Sequence, residues 1–428
     1  MSTSPTLPAD PGAIASPEAP PGFRVRGQPA AAAVASALIR SARAHALLLV
    51  GPAGVGKTTL ALDLAALLLC ASAPADRPCR ACRACRMVAS GNHPDLYRLA
   101  PDGPGGQIRI GSRSEAEPGT IRRLVTDLAL LPVEGGARVA IVEHADRLNE
   151  DAQSALLKTL EEPPAATTLI LCADEEDRLL PTVQSRCARV RLGTLGARDM
   201  ERLLADLGAA DAPTANRLGR LARGRPGVAL TWAGAPEAVV ARDEIARTLL
   251  DLLAAGRAVR LAAIRRLSAT AGEAAAALAR DASPPPRARR GRPGAAAAPA
   301  PPAEQVPPET GAGPAAEGPV GAGIPSGSRR GSPAERRRAA LLLVDVWRDL
   351  ARDLALVDLG QQQRLRDPGL LDDLHASATT LGPGVAGRFL VHLDRAGELL
   401  ESNVNPELVA DVLVLAWPRA AQRLDIAR

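Results

Sequence analysis

Gly51-Pro52-Ala53-Gly54-Val55-Gly56-Lys57-Thr58 decides how this chain is read. It follows an apolar run, Ala46 to Val50, with the length and composition of a buried strand. It precedes a helical pattern running from Thr59 to Leu69. Strand, glycine-rich turn and helix is the context in which G-x-x-x-x-G-K-[ST] binds phosphate. Gly51, Gly54 and Gly56 let backbone N–H groups turn inward around an anion, and the helix N-terminus adds its partial positive charge. Lys57 is expected to reach the β- and γ-phosphates, and Thr58 to place its hydroxyl on Mg²⁺, with Thr59 opening the helix behind them. The motif therefore predicts a site for ATP and Mg²⁺. It does not by itself predict hydrolysis.

Strand-like runs at 95–99, 137–143, 168–172 and 188–192 continue the pattern. They alternate with helical segments at 30–41, 119–131 and 148–162, the last stopped by Pro163-Pro164. This alternation predicts an α/β domain, a mostly parallel sheet covered on both faces. From Gly193 the chain reads as helical. Segments at 197–207 and 212–222 lead to a break at 224–227 before 228–232. A long stretch runs from Pro236 to about Ala282, and more helices follow at 341–356, 365–379, 385–403 and 406–417.

The 428 residues suffice for two or three domains. Only 1% are aromatic, so the cores must be built from Leu, Val, Ile and Ala. The net charge of +5 is partly local. Residues 283–332 hold six Arg against three Glu and almost no bulky apolar side chain. That segment reads as a disordered linker, and residues 1–21, rich in Pro, Ala and Ser, as a disordered lead-in. The remainder is nearly balanced, so charge alone gives no argument for nucleic-acid binding. No apolar run approaches the ~20 residues of a membrane span. No signal-peptide pattern is visible, and the expected compartment is the cytoplasm. Cysteines are expected to stay reduced there. Cys70, Cys79, Cys82 and Cys85 are then read as a tetrahedral thiolate zinc set, their charge offset by Arg80, Arg83 and Arg86. His93 is a further possible ligand, but a turn role suits it better.

Several stretches together resemble the clamp-loader subunits of bacterial DNA polymerase III, which are AAA+ proteins. They are the loop at 51–58, the cysteines at 70–85, His93-Pro-Asp-Leu96, and Ala145-Asp-Arg-Leu-Asn149 running into Ala155-Leu-Leu-Lys-Thr-Leu-Glu-Glu-Pro-Pro164. Leu179-Leu-Pro-Thr-Val-Gln-Ser-Arg-Cys187 and Asn403-Val-Asn-Pro406 complete the set. The resemblance is strong over 22–282, looser over 334–428, and leaves the linker out. It implies a RecA-like AAA+ domain over 22–192 with a zinc module at 70–85. A helical lid over 193–234 and an all-α collar over 235–282 and 333–428 would follow. It implies a hetero-pentameric ring with gamma/tau motor and delta subunits, which sets a sliding clamp on primed DNA as part of the DNA-directed DNA polymerase III holoenzyme. In that ring Arg186 would point into a neighbouring ATP site and act as a trans arginine finger.

Three positions depart from a working ATPase of this family. Where active relatives read Asp-Glu-Ala, this chain reads Glu143-His144-Ala145. Glu143 can still serve the metal, but His144 stands where a water-orienting carboxylate is needed, so its own hydrolysis is expected to be slow or absent. The sensor Thr or Asn is replaced by Ala173-Asp174, and the lid arginine falls on Gly227, with Arg225 two residues away. These departures favour a stator subunit that assembles and donates Arg186. The alternatives are the ATP-hydrolysing gamma/tau motor of the same ring and a stand-alone P-loop NTPase or kinase.

Overall fold

A computed structural model of the chain describes residues 19–101, 106–111, 117, 119–134, 136–282, 332–402 and 404–420. The lead-in to residue 18 and the linker at 283–331 lie outside the described residues.

Helix α1 (Pro29–Arg40) is followed by β1 (Ala46–Val50), α2 (Lys57–Leu69), α3 (Arg83–Ala89) and β2 (Leu96–Leu99). Then come α4 (Ile121–Leu128), β3 (Arg138–Val142), α5 (Glu150–Glu161), β4 (Thr167–Ala173), α6 (Pro181–Gln184) and β5 (Ala188–Arg191). The strands form one sheet in the order β2-β3-β4-β1-β5. Every pairing is parallel. This is the parallel α/β sheet the alternation predicts, covered by helices on both faces.

Strands buried on both faces need no polar alternation, and β1, β3 and β4 are buried throughout. Their side chains instead divide between two cores. Leu47, Leu49, Val139, Ile141, Ile170 and Val190 pack with α1, α2 and α3. Leu48, Val50, Ala140, Val142, Leu169 and Leu171 pack on the other face with α4 and α5. The period of two along each strand decides which core a residue joins.

A second cluster is built by α7 (Ala197–Asp206), α8 (Ala212–Leu221) and α9 (Pro226–Gly234). Pro226 stands at the first helical position of α9, where its missing N–H is harmless. The helix therefore starts before Val228, inside the stretch read as a break.

A third cluster is built by α10 (Pro236–Asp251), α11 (Arg257–Ala282), α12 (Pro333–Asp358), α13 (Leu371–Ala378), α14 (Val385–Glu401) and α15 (Pro406–Ala416). The stretch read as continuous from Pro236 to Ala282 is two helices with a turn at Leu252–Gly256 between them. Trp347, Trp417 and Phe389 meet in its centre, with ring centroids 4.9 to 5.9 Å apart.

Candidate nucleotide site and cysteine cluster

Register places the candidate nucleotide residues on one edge. Val50 pairs with Ala173, and Val142 with Leu171. Gly51, Glu143 and Asp174 therefore all emerge from the carboxyl ends of neighbouring strands, the edge at which open α/β sheets bind ligands. Gly51, Gly54 and Gly56 have φ of +156°, +82° and +106°. The left-handed values suit residues without a Cβ and let the loop turn its N–H groups inward. No side chain caps the N-terminus of α2. Thr58 is half-buried and Thr59 is exposed. The loop thus has the donors and the dipole that a phosphate needs.

Lys57 is buried, and its Nζ donates to Gly51 O at 2.6 Å, Pro52 O at 2.9 Å and Asp174 Oδ1 at 2.6 Å. Asp174 is held in turn, its N–H donating to Asp146 Oδ1 at 3.0 Å. His144 Nδ1 lies 3.3 Å from the other Asp174 oxygen. Burial pushes the Asp174 carboxyl up, but His144 and Lys57 outweigh it and hold it at about 2. Asp174 in turn pulls the His144 pKa above its ordinary value against the opposing effect of burial. His144 itself has a left-handed backbone, φ 52°. Glu143 does not face this group. Its carboxylate accepts from Arg98 Nε at 3.0 Å and Nη2 at 2.5 Å, so an arginine of β2 engages the acid expected to serve Mg²⁺.

Helix α9 meets the loop at Gly54. Gly227 N donates to Gly54 O at 2.8 Å. A Cβ at Gly227 would come 3.0 Å from that oxygen. Gly227, where the resemblance expects an arginine, thus lies against the phosphate loop and carries no side chain. Arg225 turns back, its Nε donating to Ala222 O at 2.9 Å.

Arg186 lies at the opposite end of the sheet. Leu47 pairs with Ala188, so the turn carrying Arg186 is level with the start of β1. Gly51 is a strand's length away, about 13 Å at ~3.3 Å per residue. Arg186 Nη2 pairs with Glu161 Oε1 at 2.6 Å and Nη1 donates to Thr182 O at 2.9 Å. Its side chain is 36% exposed.

The sulfurs of Cys70, Cys79, Cys82 and Cys85 all lie within 4.8 Å of one another. Cys70 Sγ and Cys82 Sγ are 3.9 Å apart. Four thiolates around zinc at ~2.3 Å stand about 3.8 Å apart, so the cluster fits a tetrahedral metal. Backbone N–H groups of Cys79, Cys82 and Cys85 donate to the sulfurs of Cys70, Cys79 and Cys82 at 3.3 to 3.4 Å. The Ser72 hydroxyl, with the N–H groups of Cys82 and Ala81, pulls the Cys79 thiol down to about 5. The nearby arginines make their bonds elsewhere, Arg80 to Asp63, Arg83 to Glu134 and Arg86 to Ala81 O. Short loops present amides to a sulfur more closely than long side chains do. His93 is outside the cluster: its Nδ1 accepts from Asp95 N at 3.1 Å, a turn role.

Asp63 joins the two sites. It accepts from Arg24 N and Val25 N at 2.8 Å each and pairs with Arg80 of the cysteine module. Nothing local marks it, since a lone acid in an apolar helix shows its partners only once the chain is folded.

Residues 28–196 match the protein family described as DNA polymerase III, delta subunit. DNA polymerase III subunit delta′ of Pseudomonas aeruginosa is 39% identical over 150 residues, 35% of this chain and 43% of that relative. DNA polymerase III subunit gamma/tau of Mycobacterium tuberculosis is 34% identical over 163 residues, 38% of this chain and 26% of that relative. The solved structure of a DNA polymerase III, gamma subunit-related protein from Thermotoga maritima aligns over 90% of this chain and 97% of its own, with 15% identity and a TM-score of 0.40. The chain spans less than half the length of the curated relatives named here. No helix among the described residues is long and apolar enough to cross a membrane. The matched stretch contains the phosphate loop, the four cysteines, Glu143 and Arg186, and over residues 28–196 the chain is similar to DNA polymerase III delta and delta′ subunits.

Proposed function

We propose that the chain is the stator subunit of a DNA polymerase III clamp loader. It assembles with gamma/tau motor and delta subunits in a hetero-pentameric ring that sets a sliding clamp on primed DNA in the cytoplasm. Residues 22–192 form the AAA+ domain, 193–234 the lid, and 235–282 with 333–428 the collar. Cys70, Cys79, Cys82 and Cys85 hold Zn²⁺ as a structural site. Gly51, Gly54, Gly56, Lys57, Thr58 and Thr59 bind the phosphates of ATP, with Glu143 toward Mg²⁺. Own hydrolysis is weak or absent, because His144 replaces the carboxylate that would orient water and Arg98 engages Glu143.

The observation that carries this reading is the parallel register of β1 and β5. It sets Arg186 at the edge of the sheet away from this chain's own phosphate loop, so an arginine finger at 186 has to act on a neighbour. A cation supplied in trans stabilises the charge of the phosphoryl-transfer transition state.

The test is ATP turnover by the chain alone, then in a mixture with motor and delta subunits, with Arg186→Ala alongside. The expectation is no turnover alone and turnover in the mixture that falls by roughly 10³-fold or more in the variant. Normal turnover by the mutant ring would remove the trans-arginine role. The gamma/tau likeness supports one second reading, a motor subunit. Robust turnover by the isolated chain would favour it.

A further inference from the structure

The nucleotide reading leaves Asp174 without a role, yet it makes the closest side-chain contact to the phosphate-loop lysine. An ammonium group has three N–H donors. Lys57 uses all three, on Gly51 O, Pro52 O and Asp174 Oδ1. The two carbonyls belong to the loop that carries the lysine. Asp174 comes from another strand and is the one partner a ligand can replace without unfolding the loop.

Phosphates differ in how much they need that replacement. The amides of such a loop cradle the α- and β-phosphates, and the lysine reaches the β- and γ-phosphates, so the β-phosphate keeps the amides without the lysine whereas the γ-phosphate depends on it. A diphosphate can therefore sit on the loop while Lys57 stays with Asp174. A triphosphate has to evict Asp174 and then lie beside its carboxylate. The backbone that carries the carboxylate is held beside the loop, because the Asp174 N–H donates to Asp146 and β4 is in register with β1.

We propose that Asp174 is a specificity-determining residue of this site: it occupies Lys57 as an internal anion and makes the site select nucleoside diphosphates over triphosphates. The inference rests on reading the loop as a nucleotide site, and not on the stator role. His144 Nδ1, 3.3 Å from the second Asp174 oxygen, gives the acid a second basic neighbour on the side away from Lys57's contact.

The test is equilibrium binding of Mg-ADP and Mg-ATP to the full chain by titration calorimetry, for the wild type, Asp174→Asn and Asp174→Ala. The wild type is expected to bind ADP at least tenfold more tightly than ATP. Both variants are expected to bring that ratio below threefold, chiefly by tightening ATP. Equal wild-type affinities would overturn the inference and leave the nucleotide site standing, as would a ratio that both variants keep. Binding of neither nucleotide by any of the three would overturn the inference and the nucleotide site together. If neither variant folds, as judged by circular dichroism, the wild-type ratio alone decides. The Arg186-dependent turnover of the mixed ring is read separately in every case.

Discussion

Arg260 of α11 is fully buried, and its six hydrogen bonds all go to backbone carbonyls. Nε donates to Leu252 O at 2.9 Å and Ala255 O at 3.1 Å, in the turn that follows α10. Nη2 donates to Pro418 O at 2.8 Å and Nη1 to Trp417 O, at the end of α15. The guanidinium thus meets carbonyls at two helix C-termini, whose partial negative charges favour a cation. Arg260→Met keeps most of the stem and removes every donor. A buried carbonyl left without a partner costs about 1–3 kcal/mol. Leu252 O also accepts from Ala255 N, so three well-placed acceptors lose their partner, Ala255 O, Trp417 O and Pro418 O; if relaxation rescues one of them, the loss is about 4 kcal/mol. Arg260→Lys keeps the charge with fewer donors, and about half that loss is expected. Trp347 and Trp417 lie in the same cluster, so tryptophan fluorescence during urea denaturation reports on this part of the chain. With an m-value of about 2 kcal/mol/M, the midpoint should fall by about 2 M in the methionine variant. A loss below about 1 kcal/mol would mean that other groups satisfy these carbonyls, and the reasoning would fail.

Two further outcomes can be checked. Cys82→Ser removes one of four sulfurs, while its hydroxyl can still accept from the Cys85 N–H and cap α3. The protein as purified should then lose its zinc and become protease-sensitive over 70–90, and elemental analysis that finds no zinc in the wild type would remove the metal assignment. Asp367 is 1% exposed and binds Arg217 and Arg242, joining α8 to α10. Burial pushes its carboxyl up, but the two arginines outweigh this and hold it below its ordinary value. A depressed folded pKa gives stability that is present above the unfolded value of about 3.9 and is lost as pH falls below it. Asp367→Asn should cost about 3 kcal/mol at pH 7 by weakening the pairing of a buried Arg242. Its stability should also fall less steeply than that of the wild type below about pH 4, and parallel acid profiles would refute the linkage.

The sequence by itself determined what contiguous residues encode. The run at 46–50 is a strand because five apolar residues between polar ends have nowhere to go but a sheet interior. Positive φ at Gly54 and Gly56 follows from the residue type. The spacing of Cys79, Cys82 and Cys85 bends a short loop so that successive amides face the sulfurs. Helix limits shifted where caps decide: the Asn149 side chain accepts from Ala152 N and sets the start of α5 at Glu150, and a Ser332–Glu335 capping box starts α12 at Pro333, well before the segment read from 341. The hidden break between α10 and α11 needed Arg260, whose charge stabilises a turn that helix-forming residues conceal. Only the tertiary structure decided what surrounds the phosphate loop. Asp174 reaches Lys57 because β4 lies beside β1, although their chemistry is 117 residues apart. Gly227 meets Gly54 because α9 closes over the loop. Arg186 stands far from that loop because β5 runs parallel to β1. Strand order is fixed by which apolar faces bury together, and that free energy is spread over both cores rather than written in any one motif.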